Sequence, residues 1–119
     1  MKTRKIMNIL KRGIRKSFFR SSEKLINFQK LEQIERNNNN VFLVDVRSSQ
    51  EYEEGHLRGA ISIPNYEIED KIEKIIPDKK SIIILYCQTG RRSENAVEVL
   101  EKIGYTNVYN LEGGIIGNS

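Results

Sequence analysis

Ser81-Ile82-Ile83-Ile84-Leu85-Tyr86-Cys87-Gln88-Thr89-Gly90-Arg91-Arg92-Ser93 is the stretch on which the fold turns. A β-branched apolar run ends in the only cysteine of the chain. A short loop with one glycine and two arginines follows, and a helix-like segment begins. The run reads as a buried strand. Cys87 therefore lies at the carboxyl end of a strand and at the start of a helix. Free backbone N–H groups and the helix dipole favour an anion there. They also lower a thiol's pKa, as nearby arginines do. The local pattern predicts a thiolate nucleophile inside an anion-binding cradle.

Working outward, strands and helices alternate. Leu25-Ile26 reads as a short strand, and Asn27 as the cap of a helix from Phe28 to about Arg36. Asn37 to Asn40 read as a loop. Val41 to Val44 form a strand run that ends in Asp45-Val46-Arg47. Ser49 is expected to cap a short helix through Tyr52 and Glu53. Gly55 and Gly59 bracket a turn, and Ala60 to Ile63 form a short strand closed by Pro64. Ile68, Ile72, Ile75 and Ile76 make a helical stripe, stopped at Pro77. Ser93 to Ile103 form an amphipathic helix with Ala96, Val97, Leu100 and Ile103 inward, ended by Gly104. Asn107 to Leu111 give the last strand. The alternation predicts an α/β fold: one domain, with a central parallel β-sheet flanked by helices on both faces. Ligands in such folds bind at the carboxyl ends of strands, where Cys87 lies.

Composition narrows the class. The chain has 119 residues, enough for one core, and its 38% hydrophobic and 30% charged content excludes a disordered chain. One cysteine cannot form an internal disulfide or a zinc cluster, so no metal and no cofactor are expected. Such a thiol suits a reducing compartment, which points to the cytoplasm. Charge is uneven. Residues 1–25 carry nine Lys/Arg against Glu23 alone, a net of +8, and the rest carries 11 against 15 acids, a net of −4. Residues 1–24 therefore read as a basic extension, either frayed or an amphipathic helix, and 25–119 as the domain. As a helix the extension would contact an anionic membrane or a nucleic acid. As a targeting segment it would place the protein in an organellar matrix or at a membrane surface. No apolar run approaches the roughly 18 residues of a membrane span.

Three blocks together resemble the rhodanese-like domain family, the sulfurtransferases. The first is Val44-Asp45-Val46-Arg47 with Glu51-Tyr52-Glu53-Glu54-Gly55-His56-Leu57-Arg58-Gly59-Ala60 and Ile63-Pro64. The second is Tyr86 to Ser93. The third is Gly104-Tyr105 with Val108-Tyr109-Asn110-Leu111-Glu112-Gly113-Gly114-Ile115. They stand in the family's order and span roughly Leu25 to Ile115. The resemblance implies that Cys87 takes up a sulfane sulfur as a persulfide. It implies thiosulfate as a donor and a thiol, cyanide or a protein as the acceptor. Gln88, Thr89, Gly90, Arg91, Arg92 and Ser93 would form the substrate loop, with Arg92 the more regular position in the family. The family uses His56 structurally. The family's aromatic residue beyond the double glycine has no counterpart near Asn118, so the closing C-terminal helix is expected to be missing.

The residues supply roles of their own. Gly90 permits φ > 0 and brings backbone close to the sulfur. Arg91 and Arg92 suit the sulfonate end of a donor. Ser93 reads as a helix cap. Asp45, Arg47 and Glu51 read as an ion-pair network that supports the loop. His56 could in principle form a dyad with Cys87. Two other functions compete with sulfur transfer. A phosphatase or arsenate reductase would need an arginine six positions after the cysteine, where Ser93 stands. A non-catalytic persulfide-sensing or protein-interaction module would keep the cysteine without turnover.

Overall fold

A computed structural model describes residues 24–118. The basic segment assigned above to a helix or a frayed terminus therefore lies, but for Lys24, outside the described residues. Five strands form one sheet: β1 (Leu25–Ile26), β2 (Val41–Asp45), β3 (Ile61–Ser62), β4 (Ile82–Tyr86) and β5 (Asn107–Leu111). Their order is β1-β5-β4-β2-β3, and every pair is parallel. The helices are α1 (Phe28–Asn37), α2 (Ser49–Glu54), α3 (Ile68–Ile75), α4 (Arg91–Lys102) and α5 (Gly114–Asn118).

The central strand shows why the apolar run is continuous. Side chains alternate across a strand, so Ile83 and Leu85 join one buried cluster while Ile84 and Tyr86 join the other. The first cluster packs α3 and α4 onto the sheet through Ile68, Ile72, Ala96, Val97 and Leu100. The second packs α1 through Leu31, with Ile34, Tyr52 and Ile115 at its margin. Both faces of β4 are thus covered, and an alternating polar residue would be buried without a partner. Each fully buried isoleucine or leucine contributes about 1.5–3 kcal/mol relative to exposure.

Two local details differ from the expectations above. Ser48, not Ser49, caps α2. Its hydroxyl accepts the Glu51 N–H at 3.1 Å, and Glu51 Oε1 accepts the Ser48 N–H at 2.9 Å. This reciprocal pair needs a three-residue spacing, which Ser49 does not have to an acid at 51. The closing helix expected to be missing also forms, as the short α5. Backbone holds it in place: Ile115 N–H donates to Cys87 O at 2.9 Å and Ile116 N–H to Gln88 O at 3.1 Å. No aromatic residue is required for that contact.

The topology selects one place on the sheet. After β2 the chain moves outward to β3, while after β4 it moves the other way to β5. Their carboxyl ends diverge side by side, with Asp45 opposite Tyr86. In an open parallel sheet this divergence leaves a crevice. Among the described residues, no helix is long and apolar enough to cross a membrane.

Candidate active site at the end of the central strand

Cys87 directly follows β4 and is 1% exposed. Its sulfur nevertheless faces donors. Gly90 N–H lies 3.0 Å from Sγ, Ser93 N–H 3.4 Å, and the Ser93 hydroxyl 3.4 Å. The loop can fold back this tightly because Gly90 has φ 110°, ψ −9°, in the left-handed region. A side chain there would cost about 1–2 kcal/mol. Burial pushes the Cys87 thiol up. The Ser93 hydroxyl and the amides of Ser93, Gly90 and Thr89 outweigh it, and the net shift is downward.

Ser93 does not cap the helix. Gly90 occupies the cap position, and α4 begins at Arg91. Ser93 is fully buried on the third residue of the helix, turned inward. Its hydroxyl has three acceptors in reach: Asn110 Oδ1 at 2.5 Å, Gly90 O at 3.2 Å and Cys87 Sγ at 3.4 Å. Asn110 Nδ2 in turn donates to Gly90 O at 3.1 Å. The sequence pattern alone assigns Asn110 no role. Its one signal is a polar side chain between Tyr109 and Leu111 near the end of the strand.

The two arginines separate. Arg92 pairs with Glu51 through two parallel bonds, Nη1 to Oε1 at 2.9 Å and Nη2 to Oε2 at 3.2 Å. This fork joins α2 to α4. It holds the Glu51 carboxyl at about 2, with the Ser48 amide assisting. The pair raises Arg92, and a charge on Cys87 adds to that rise. Arg91 is exposed, as are Gln88 and Thr89.

Asp45 and Arg47 form a second, buried layer. Asp45 is 0% exposed. Its Oδ1 accepts the Arg47 backbone N–H at 2.9 Å and Nε at 3.0 Å. Its Oδ2 accepts Arg47 Nη2 and the Tyr86 hydroxyl, each at 2.8 Å. Tyr86 Oη accepts the Leu57 N–H at 2.9 Å, and Arg47 also donates to Gly55 O. The Asp45 bond raises Arg47, and burial raises Tyr86 well above the ordinary phenol range. His56 stands apart from the thiol's partners. It is exposed, stacks on Tyr52 with ring centroids 3.7 Å apart, and places Nδ1 2.8 Å from Tyr52 O. Among the described residues, no group of three His, Cys, Asp or Glu could hold a metal.

The family model for the rhodanese-like domain matches residues 28–117, nearly every element described above. The chain belongs to the rhodanese-like domain family. Thiosulfate sulfurtransferase PspE of Escherichia coli (strain K12) is 41% identical over 70 residues, covering 59% of this chain and 67% of that one. A tRNA uridine(34) hydroxylase of Buchnera aphidicola subsp. Acyrthosiphon pisum (strain Tuc7) is 35% identical over 115 residues. That match covers 92% of this chain and 35% of the hydroxylase, so this rhodanese-like chain spans about a third of that relative. The crystal structure of a rhodanese-related protein from Thermoplasma volcanium superposes with a TM-score of 0.67 at 31% identity, over 79% of this chain and 88% of that one. One of these relatives is thus named a sulfurtransferase and another a tRNA hydroxylase.

Proposed function

We propose that the protein moves a sulfane sulfur through a persulfide on Cys87, taking it from thiosulfate or a related donor. The observation that carries this reading is the meeting of amide and hydroxyl hydrogens on the Cys87 sulfur. The thiolate attacks the outer sulfur of thiosulfate. The new S–S bond forms as the bond to the sulfonate sulfur breaks, and sulfite leaves with that electron pair. The negative charge then rests on the terminal sulfur. An acceptor such as cyanide attacks that sulfur, leaves as thiocyanate and returns the Cys87 thiolate. Two covalent half-reactions imply ping-pong kinetics.

The loop is proposed to supply the rest. Backbone N–H groups from Gln88 to Ser93 suit the anionic terminal sulfur as a nest. Arg91, exposed where the loop meets α4, is the arginine proposed to meet the sulfonate end of a donor, whereas Arg92 is engaged by Glu51. Asp45, Arg47, Glu51 and His56 serve as support. Ser93 stands six positions after Cys87, where a phosphatase would need a guanidinium, and this disfavours phosphate chemistry. The chain has one cysteine, so no internal disulfide can resolve the persulfide. The acceptor comes from outside as a small thiol, cyanide or a protein thiol.

The test is sulfite release from thiosulfate and thiocyanate release on adding cyanide. Cys87→Ser should lower both by roughly three orders of magnitude or more. A Cys87→Ser protein that still makes thiocyanate would overturn the reading. The 1% exposure of Cys87 favours one other reading, a module that holds a persulfide without passing it on. That module would gain one sulfur atom by mass from thiosulfate and keep it in cyanide.

A further inference from the structure

The Ser93 hydroxyl has one hydrogen and three acceptors, so its partner is a choice. Asn110 Oδ1 is the nearest of the three, at 2.5 Å. The orientation of the Asn110 amide is not arbitrary. Gly90 O has no hydrogen to give, so the group 3.1 Å from it must be the NH2, and the oxygen must face Ser93. Both side chains are buried, Ser93 at 0% and Asn110 at 6% exposure. Water does not compete freely for either. With its hydrogen on Asn110, the Ser93 oxygen presents lone pairs to the sulfur 3.4 Å away. That state suits a Cys87 thiol, whose S–H can donate to the oxygen. A thiolate needs the opposite arrangement, with the hydroxyl hydrogen turned from Asn110 to sulfur.

We propose that Asn110 is a positioning residue that sets the reactivity of Cys87 by competing with the thiolate for the Ser93 hydrogen. The proposal rests on Cys87 being the nucleophile. Asn110 stabilises the thiol by holding the hydrogen, and the thiolate must draw it away. Sulfur uptake then releases the hydrogen again. Once the persulfide forms, the charge lies on the terminal sulfur and Sγ carries none. The hydroxyl returns to Asn110 while the loop amides hold the charge. The same Asn110 amide holds Gly90 O, on the residue whose N–H points at Sγ. Asn110 thus acts on the sulfur by two routes, one through Ser93 and one through Gly90.

A double-mutant cycle separates the routes. The Cys87 pKa is read from the pH dependence of iodoacetamide alkylation, which needs no sulfur donor. Four proteins are compared: wild type, Ser93→Ala, Asn110→Leu and the double variant. In the Ser93→Ala background Asn110→Leu can act only through Gly90. In the presence of Ser93 it also frees the hydroxyl hydrogen for the thiolate. The shift caused by Asn110→Leu should therefore be more negative with Ser93 present, by about half a pH unit or roughly threefold in thiolate population. Equal shifts in both backgrounds would overturn the proposal. Should Asn110→Leu fail to fold, the unmodified protein supplies the answer by NMR. The Asn110 side-chain NH2 resonances should move through the Cys87 titration, and that movement should shrink in Ser93→Ala, where only the Gly90 route remains. Resonances that stay flat while Cys87 titrates would overturn the proposal equally. Sulfite release, assayed separately, reports on sulfur transfer and not on this coupling.

Discussion

At the scale of single residues, the site is an arrangement of hydrogens around one sulfur. The Cys87 thiolate loses stability by burial and gains it back from one hydroxyl and several amides. Ser93→Ala removes the hydroxyl and keeps the Ser93 amide. Because that hydroxyl lowers the thiol's pKa, its loss should move the alkylation–pH midpoint upward by about half to one unit. An unmoved midpoint would show that the amides alone hold the thiolate. The place of Cys87 at the end of a buried strand was legible in the sequence, since the apolar run stops there and a Gly-Arg-Arg loop follows. Asn110 was not. A polar residue in a strand can face solvent, the core or a loop, and only the pairing of β5 with β4 brings it to Gly90 and Ser93. The separation of Arg91 from Arg92 was equally hidden, because Glu51 lies 41 residues away from its partner.

At the scale of elements, the site depends on a close approach between α5 and the cysteine loop. Gly114 has φ +59°, and a Cβ there would run into Cys87 O and lie 2.6 Å from Gln88 O. These are backbone atoms and cannot swing aside. Gly59 is the useful contrast, with φ +82° and nothing within 4 Å of the place a Cβ would take. Gly59→Ala should cost only the strain of the left-handed region, about 1 kcal/mol, and leave Cys87 alkylation unchanged. Gly114→Ala carries similar strain plus the clash. It should cost about 2 kcal/mol or more in urea unfolding and also change the alkylation rate, as the loop must shift. Equal behaviour of the two variants would mean that α5 does not support the loop. The elements themselves were largely legible: apolar runs, an isoleucine stripe and the Asn27 cap, which accepts the Lys30 N–H at 2.8 Å. What stayed hidden depends on contacts that local pattern does not carry. Ser48 and Ser49 are both plausible caps until the reciprocal bond with Glu51 decides. α5 forms without the family's aromatic, because two backbone hydrogen bonds to the loop hold it.

At the scale of the whole molecule, polar bridges lock together the elements around the crevice. Alternating strands and helices announce a parallel sheet but leave its order open, since many orders satisfy the same pattern. Asp45, Arg47, Tyr86 and Leu57 tie β2, β4 and the turn before β3, and Glu51 with Arg92 ties α2 to α4. The two bridges should respond differently. Arg47→Met leaves the fully buried Asp45 carboxylate without its cation and should cost about 3–5 kcal/mol in urea unfolding, a large share of a domain's usual 5–15. Glu51→Gln is milder and depends on pH. Glutamine keeps the capping geometry, so the variant isolates the charge. In the folded protein the Glu51 carboxyl is held at about 2, below its ordinary 4.5, chiefly by Arg92. The ionised pair therefore stabilises the fold fully above about 4.5. As pH falls from there towards 2, the unfolded chain takes up a proton that the folded chain does not, and the stabilisation is lost. Both side chains are partly exposed, 38% for Arg92 and 28% for Glu51, so solvent screening holds the effect to about 1 kcal/mol. The stability gap between wild type and Glu51→Gln should thus be about 1 kcal/mol at pH 6, narrow in high salt, and close by pH 2. A gap that persists unchanged across that range would assign the contribution of Glu51 to its capping bonds and not to the bridge.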